Sequence, residues 1–138
     1  MIKDTINSVL TDGNISFESV GLSDEDMKNI QQVYIVACGS AYHVGMVAQY
    51  VIEELTSLSV RVELASEFRY RKPLLDPDGL VIVISQSGET ADSLKALDLA
   101  NETSKTLGVV NVAGSAITRR ADYVIQTQAG PEIGVAAT

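Results

Sequence analysis

Residues 80–90 read Leu-Val-Ile-Val-Ile-Ser-Gln-Ser-Gly-Glu-Thr, an apolar run that breaks abruptly into hydroxyl side chains and a glycine. Val81, Ile82, Val83 and Ile84 do not alternate with polar residues. A strand of this kind buries both faces, the habit of a central strand in a parallel sheet with helices on either side. The turn at Asp76-Pro77-Asp78 and Gly79 set its start. Ser85, Gln86, Ser87, Gly88 and Thr90 then fall at the strand's carboxyl end, where a helix is due. Hydroxyls, a backbone-permissive glycine and free helix N–H groups at one point suit an anion, phosphate above all.

The rest of the chain alternates to match. Residues 2–11 read as a short amphipathic helix with Ile2, Ile6, Val9 and Leu10 on one side, stopped by Asp12-Gly13-Asn14. Ser23 and Asp26 have the spacing of a capping box that opens a short helix to about Ile30. Residues 33–37 form the first strand, and Val44, Val47, Ala48, Val51, Ile52 and Leu55 then mark one apolar stripe of a long helix. Strand two covers 60–64, with Val60, Val62 and Leu64 inward in the alternation of an edge strand. Residues 66–71 read as a helical turn. After the opening strand, the third, comes a helix from Thr90 to about Ser104 that buries Leu94, Leu97 and Ala100. Strand four spans 107–112, a short helix 115–120 and strand five 123–126; 131–138 is a loop running into a helix. Strands alternating with helices predict an α/β fold, a three-layer α/β/α sandwich on a five-stranded parallel sheet of flavodoxin-like order 2-1-3-4-5. Strands one and three are then neighbours, and their loops, Gly39-Ser40-Ala41 and 85–90, converge on one crevice at the switch point.

The chain has 138 residues, enough for one domain with a real core. Its net charge of −8 argues against a nucleic-acid or anionic-membrane surface, though not against a phosphate held by neutral groups. Cys38 is the only cysteine, so no intrachain disulfide can form, which fits a reducing cytoplasm. One cysteine and one histidine make a Cys/His zinc site an unexpected reading. No run reaches membrane-span length, and the start lacks a signal-peptide pattern.

Two readings compete for the serine turn. In one, the Ser85, Ser87 and Thr90 hydroxyls and nearby N–H groups hold a phosphate while Gln86 reaches a sugar hydroxyl. In the other, Ser87 or Thr90 only caps the next helix. The hydroxyls outnumber what a cap needs. Gly39-Ser40-Ala41 carries less weight alone, since a short strand-to-helix turn wants glycine in any case. The G-x-G-x-x-G dinucleotide pattern and the Gly-Lys-Ser/Thr of a P-loop are both absent. Cys38 reads as a small residue at a strand end or, with His43 close, as a nucleophile. Arg69, Arg71 and Lys72 form the one basic cluster, suited to a subunit contact or to a phosphate. Glu89 and Glu132 are candidate acids or bases, and Glu89 also suits a helix N-terminus electrostatically.

The segments Ser85–Thr90 and 37–45 (ACGSAYHVG) resemble the sugar isomerase (SIS) domain. With residues 65–71 (ASEFRYR), 111–115 (NVAGS) and 129–138 (AGPEIGVAAT), their order is similar to that in the glutamine–fructose-6-phosphate aminotransferase family, in its bacterial form. The resemblance covers nearly the whole chain from about residue 4. It implies a ligand, fructose 6-phosphate or glucosamine 6-phosphate, contacted by Ser40, Ser85, Gln86, Ser87 and Thr90, with Val135 nearby. Gly39, Ala41 and Gly88 are additional candidates. Where the family often has Thr-Ser this chain has Ser40-Ala41, and where it often has Ser this chain has Ala137, so two hydroxyls are lost. The family's glutaminase domain and its second SIS subdomain, which carries the acid, base and Schiff-base groups, have no counterpart here. The chain is therefore expected to be a fragment: short helices over about 1–31, then a single SIS subdomain within 1–138. It is expected to bind sugar phosphate weakly, if at all, and not to catalyse, with no metal and no cofactor. A helix cut at Thr138 would leave apolar surface exposed, so self-association as a homodimer is expected. A regulator's sugar-phosphate-binding module and a fructosamine-6-phosphate deglycase-type enzyme are the alternatives. Flavin binding is disfavoured, because no aromatic residue falls at the crevice.

Overall fold

The computed structural model describes residues 2–133. Helix α1 (Ile2–Asn7) leads into a two-stranded antiparallel hairpin, Leu10–Thr11 against Asn14–Ile15. The expected helix to residue 11 thus stops early. Asp12 and Gly13 both take positive φ, 50° and 80°, the geometry of a tight hairpin turn, and the backbone of residues 10–11 is used for pairing instead. Helix α2 (Asp24–Asn29) opens with the predicted capping box: Ser23 Oγ accepts from Asp26 N, and the Asp26 carboxylate accepts from Ser23 N.

Five parallel strands follow: β1 (Gln32–Ala37), β2 (Ser59–Leu64), β3 (Gly79–Ser85), β4 (Lys105–Val110) and β5 (Tyr123–Gln126). Their order is 2-1-3-4-5, with β3 in the middle and buried along most of its length. The helices between them are α3 (Ser40–Leu55), α4 (Ala65–Phe68), α5 (Ala91–Ala100) and α6 (Ala116–Arg120). The sheet separates two cores by strand parity. Tyr34, Val36, Val81 and Val83 face one side with Phe68, Leu97 and Ile117 from α4, α5 and α6. Val33, Ile35, Val60, Leu80 and Leu107 face the other, against Ala48 and Ile52 of α3. This is the expected three-layer α/β/α sandwich. Tyr34 and Phe68 meet edge to face with centroids 5.9 Å apart, a contact worth about 1 kcal/mol beyond its area.

Several expectations shift. Strand β4 begins and ends earlier than read from sequence, which leaves Asn111 and Val112 in the turn beyond it. Leu64 is exposed on the edge strand rather than inward. Helix α5 ends at Ala100 and packs Ser93 and Ala96 alongside Leu97 and Ala100; Leu94 is only partly buried. The largest correction concerns α3. Val44, Val47, Val51 and Leu55 are exposed, and the face on the sheet is Gly45, Ala48, Gln49 and Ile52. The helix lies so close that a Cβ at position 45 would stand 2.9 Å from Ile35 Cγ2, so only glycine permits this approach. Pro131–Ile133 are not helical; the expected terminal helix lies otherwise outside the described residues.

Candidate functional site

Strands β1 and β3 pair in register, Ala37 beside Ile84, so the two following turns leave the sheet side by side. The crevice between them has a volume of about 420 Å³ and is lined by Gly39, Ser40, Ala41, Ser85, Gln86, Ser87 and Thr90, with Cys38, Ile84, Ser93 and Glu132. Seven of the nine candidate residues read from sequence as binding or near a ligand are thereby brought together at one mouth. Gly88 is the exception. It lies buried behind the turn, where a Cβ would fall 2.1 Å from Ser115 Oγ, and so shapes the turn without lining the crevice. Val135 and Ala137 lie outside the described residues.

The turn's hydroxyls are used in a specific way. Ser85 Oγ accepts from Gly88 N at 3.0 Å, and Ser87 Oγ accepts from Glu89 N at 3.2 Å. Gly88 takes φ +67°, which lets its N–H turn back on Ser85. Each hydroxyl oxygen already accepts an amide proton, so its own proton remains to be donated. Donors in this arrangement suit an anion. Thr90 stands at the N-cap of α5 but makes no side-chain cap bond, so simple capping does not account for these side chains. Among the described residues no Lys or Arg lines the crevice, which leaves hydroxyls and backbone N–H groups there to hold any anion.

Both arginines of the basic cluster are engaged elsewhere. Arg69 pairs with Asp92 and Arg71 with Glu63, both within the chain. Cys38 Sγ accepts from Ser93 Oγ at 3.8 Å, whereas exposed His43 stands edge to face against Tyr42, so the two do not form a nucleophile–base pair. Glu89 reaches a helix N-terminus, as its charge suggested, but that of α6 rather than α5: Glu89 Oε1 accepts from Ala116 N at 2.8 Å.

Sequence reasoning missed Ser93 and the far side of the crevice. Ser93 lies three residues after Thr90, one helical turn on, a spacing that puts both on one face. Gln86 also lines an adjoining cavity of about 390 Å³ with Asn111, Gln126, Thr127 and Gln128, from the ends of β4 and β5. Asn111 organises this side. Its Oδ1 accepts from Ala129 N at 2.9 Å and its Nδ2 donates to Gly130 O at 2.6 Å. Their common position beyond strand ends at the same sheet edge was the available signal.

The chain is 50% identical over 140 residues to glutamine–fructose-6-phosphate aminotransferase (isomerizing) of Clostridium tetani, covering 100% of this chain and 23% of that protein. It is 53% identical over 138 residues to the protein of the same name from Mycolicibacterium smegmatis, covering 99% of this chain and 22% of that one. The chain thus spans less than a quarter of the length of these curated relatives. The solved C-terminal domain of glucosamine-fructose-6-phosphate aminotransferase from Francisella tularensis matches with a TM-score of 0.89 at 40% identity, over 99% of this chain and 38% of that one. The SIS domain family model matches residues 26–138, a span that holds all five sheet strands and both turns of the crevice, and the chain belongs to the SIS domain family.

Proposed function

We propose that this chain is the sugar-phosphate-binding SIS subdomain of a glutamine–fructose-6-phosphate aminotransferase, an enzyme that converts fructose 6-phosphate and glutamine to glucosamine 6-phosphate and glutamate. The observation that carries the reading is the serine turn, whose Ser85 and Ser87 oxygens accept backbone N–H groups and leave their protons for a phosphate. Ser40, Thr90 and the backbone of Gly39 and Ala41 complete the cradle, and Gln86 reaches toward sugar hydroxyls. The identity to relatives of that name supports the choice of sugar phosphate. Val135 belongs to the same proposed contact set.

The acid, base and amine groups that ring opening and proton transfer between C1 and C2 require are not assembled among the described residues. We assign binding, not turnover, to this chain by itself. In the same reading, residues about 1–31 are a lead-in and the remainder one SIS subdomain, working in the cytoplasm as part of a homodimer. The exposed outer face of α3, with Val44, Val47, Tyr50, Val51 and Leu55, supports a contact with another protein surface.

An NMR titration with glucosamine 6-phosphate tests the reading. Shifts confined to residues 39–41 and 85–90 are expected. Their absence, or isomerisation of fructose 6-phosphate by the purified chain, would overturn the corresponding half of the proposal.

A further inference from the structure

The serine turn is tied to the β4–α6 connection as well as to α5. Gln86 O accepts from Asn111 N at 3.2 Å, and Gly88 O accepts from Ile117 N at 3.1 Å. Glu89 Oε1 accepts from Ala116 N at 2.8 Å. Ala116 and Ile117 are the first two residues of α6, whose N–H groups have no partner within the helix. Both are therefore satisfied by the turn.

Ser115 holds the N-cap position of α6 and is the residue type that ordinarily performs this task. It makes no side-chain cap bond, and its Oγ is buried without a hydrogen-bond partner. The carboxylate of Glu89 has taken its place. Ser115 instead packs so tightly behind Gly88 that no Cβ fits between them. Glu89 is not among the described residues that line the crevice or its adjoining cavities, although it follows directly on the hydroxyl-bearing turn.

We propose that Glu89 is a positioning residue for the phosphate ligand: by capping α6 it locks the serine turn so that the Ser85 and Ser87 hydroxyls face the crevice, and it holds its own negative charge away from the anion. The effect passes through the turn, since Glu89 does not itself line the crevice. This assignment rests on the sugar-phosphate reading above.

Two substitutions separate the cap from the charge. Glu89→Gln keeps a side-chain oxygen that can accept from Ala116 N, whereas Glu89→Ala removes it. The experiment titrates the whole chain with glucosamine 6-phosphate and, separately, with inorganic phosphate, following amide shifts, with a thermal melt of each variant. Glu89→Ala is expected to weaken both ligands about threefold to tenfold, the range that the net loss of one hydrogen bond spans. Glu89→Gln is expected to bind as tightly as the unaltered chain or tighter, with Tm values of both variants within a few degrees of it. A purely structural role would show in Glu89→Ala as a fall in Tm rather than as an affinity loss at level Tm. Unchanged affinity in Glu89→Ala, or equal loss in Glu89→Gln, overturns the proposal. If Glu89→Ala does not fold, Glu89→Asp, one methylene too short to keep the contact, takes its place with the same expected loss. Absence of binding by the unaltered chain removes the sugar-phosphate reading, and this proposal with it, before any variant is compared.

Discussion

The two turns that flank the crevice leave adjacent strands at the same level of the sheet yet are built differently. After β1, Gly39 takes φ 58° and ψ −135°, and α3 starts at once with Ser40. Gly39 and Ser40 are exposed, and no side chain caps the helix. After β3, the chain spends residues 86–90 on a turn held by its own hydroxyls and by three bonds to the β4–α6 connection. The first turn offers bare backbone that a ligand can approach closely. The second offers donors that are already oriented, so little ordering entropy remains to be lost when a ligand binds. In the proposed reading, this asymmetry puts the fixed recognition of the anion on the serine turn.

The strongest way to break this contrast is Gly88→Ala. A side chain there meets a positive φ and the Ser115 hydroxyl together, and neither can move without disturbing the buried turn. A loss of about 3 kcal/mol or more is expected in urea denaturation, with no detectable ligand binding. A stability close to that of the unaltered chain would mean the turn is not locked. Ser85→Ala and Ser40→Ala compare the turns directly. Ser85 is only 7% exposed and holds the Gly88 N–H, so its removal should cost about 1–2 kcal/mol as well as affinity. Ser40→Ala should stay within about 0.5 kcal/mol in stability, so that any loss appears in ligand titration alone. Equal destabilisation by the two would erase the distinction.

The smallest expected effect lies at the opposite end of the sheet. A hydrogen bond from Lys105, with help from Ser23, lowers the Asp26 carboxyl from 3.8 to about 2. Lys105 is raised in turn, chiefly by Asp26. The Asp26 contribution is therefore present above pH 3.8 and lost as pH falls toward 2. The Lys105 contribution is present below 10.5 and lost only as pH climbs past its raised value. Protection of the α2 amides against exchange should fall on acidification through this window before that of residues 85–90 does. Simultaneous loosening would show that the turn depends on the far end of the sheet.

Much of this architecture was legible along the chain. The uninterrupted apolar run at 80–84 placed a central strand, and the hydroxyls directly after it placed the proposed anion site at that strand's end. Helix α3 was legible as a helix but not in its orientation. It is apolar on more than one side, so periodicity alone favoured the valine stripe, whereas close packing on Ile35 and Val62 selected the face bearing Gly45. Glu89 was legible as a helix-end acid but not as to which helix. Hydroxyl chemistry, strand burial and helix spacing are local properties, so residue order alone determined the parallel α/β layout and the serine turn. The partner of Glu89, the displaced cap at Ser115, the inner face of α3 and the polar wall at Asn111 join residues far apart in the chain. Only tertiary packing decided them, because each depends on how closely two separately formed elements approach.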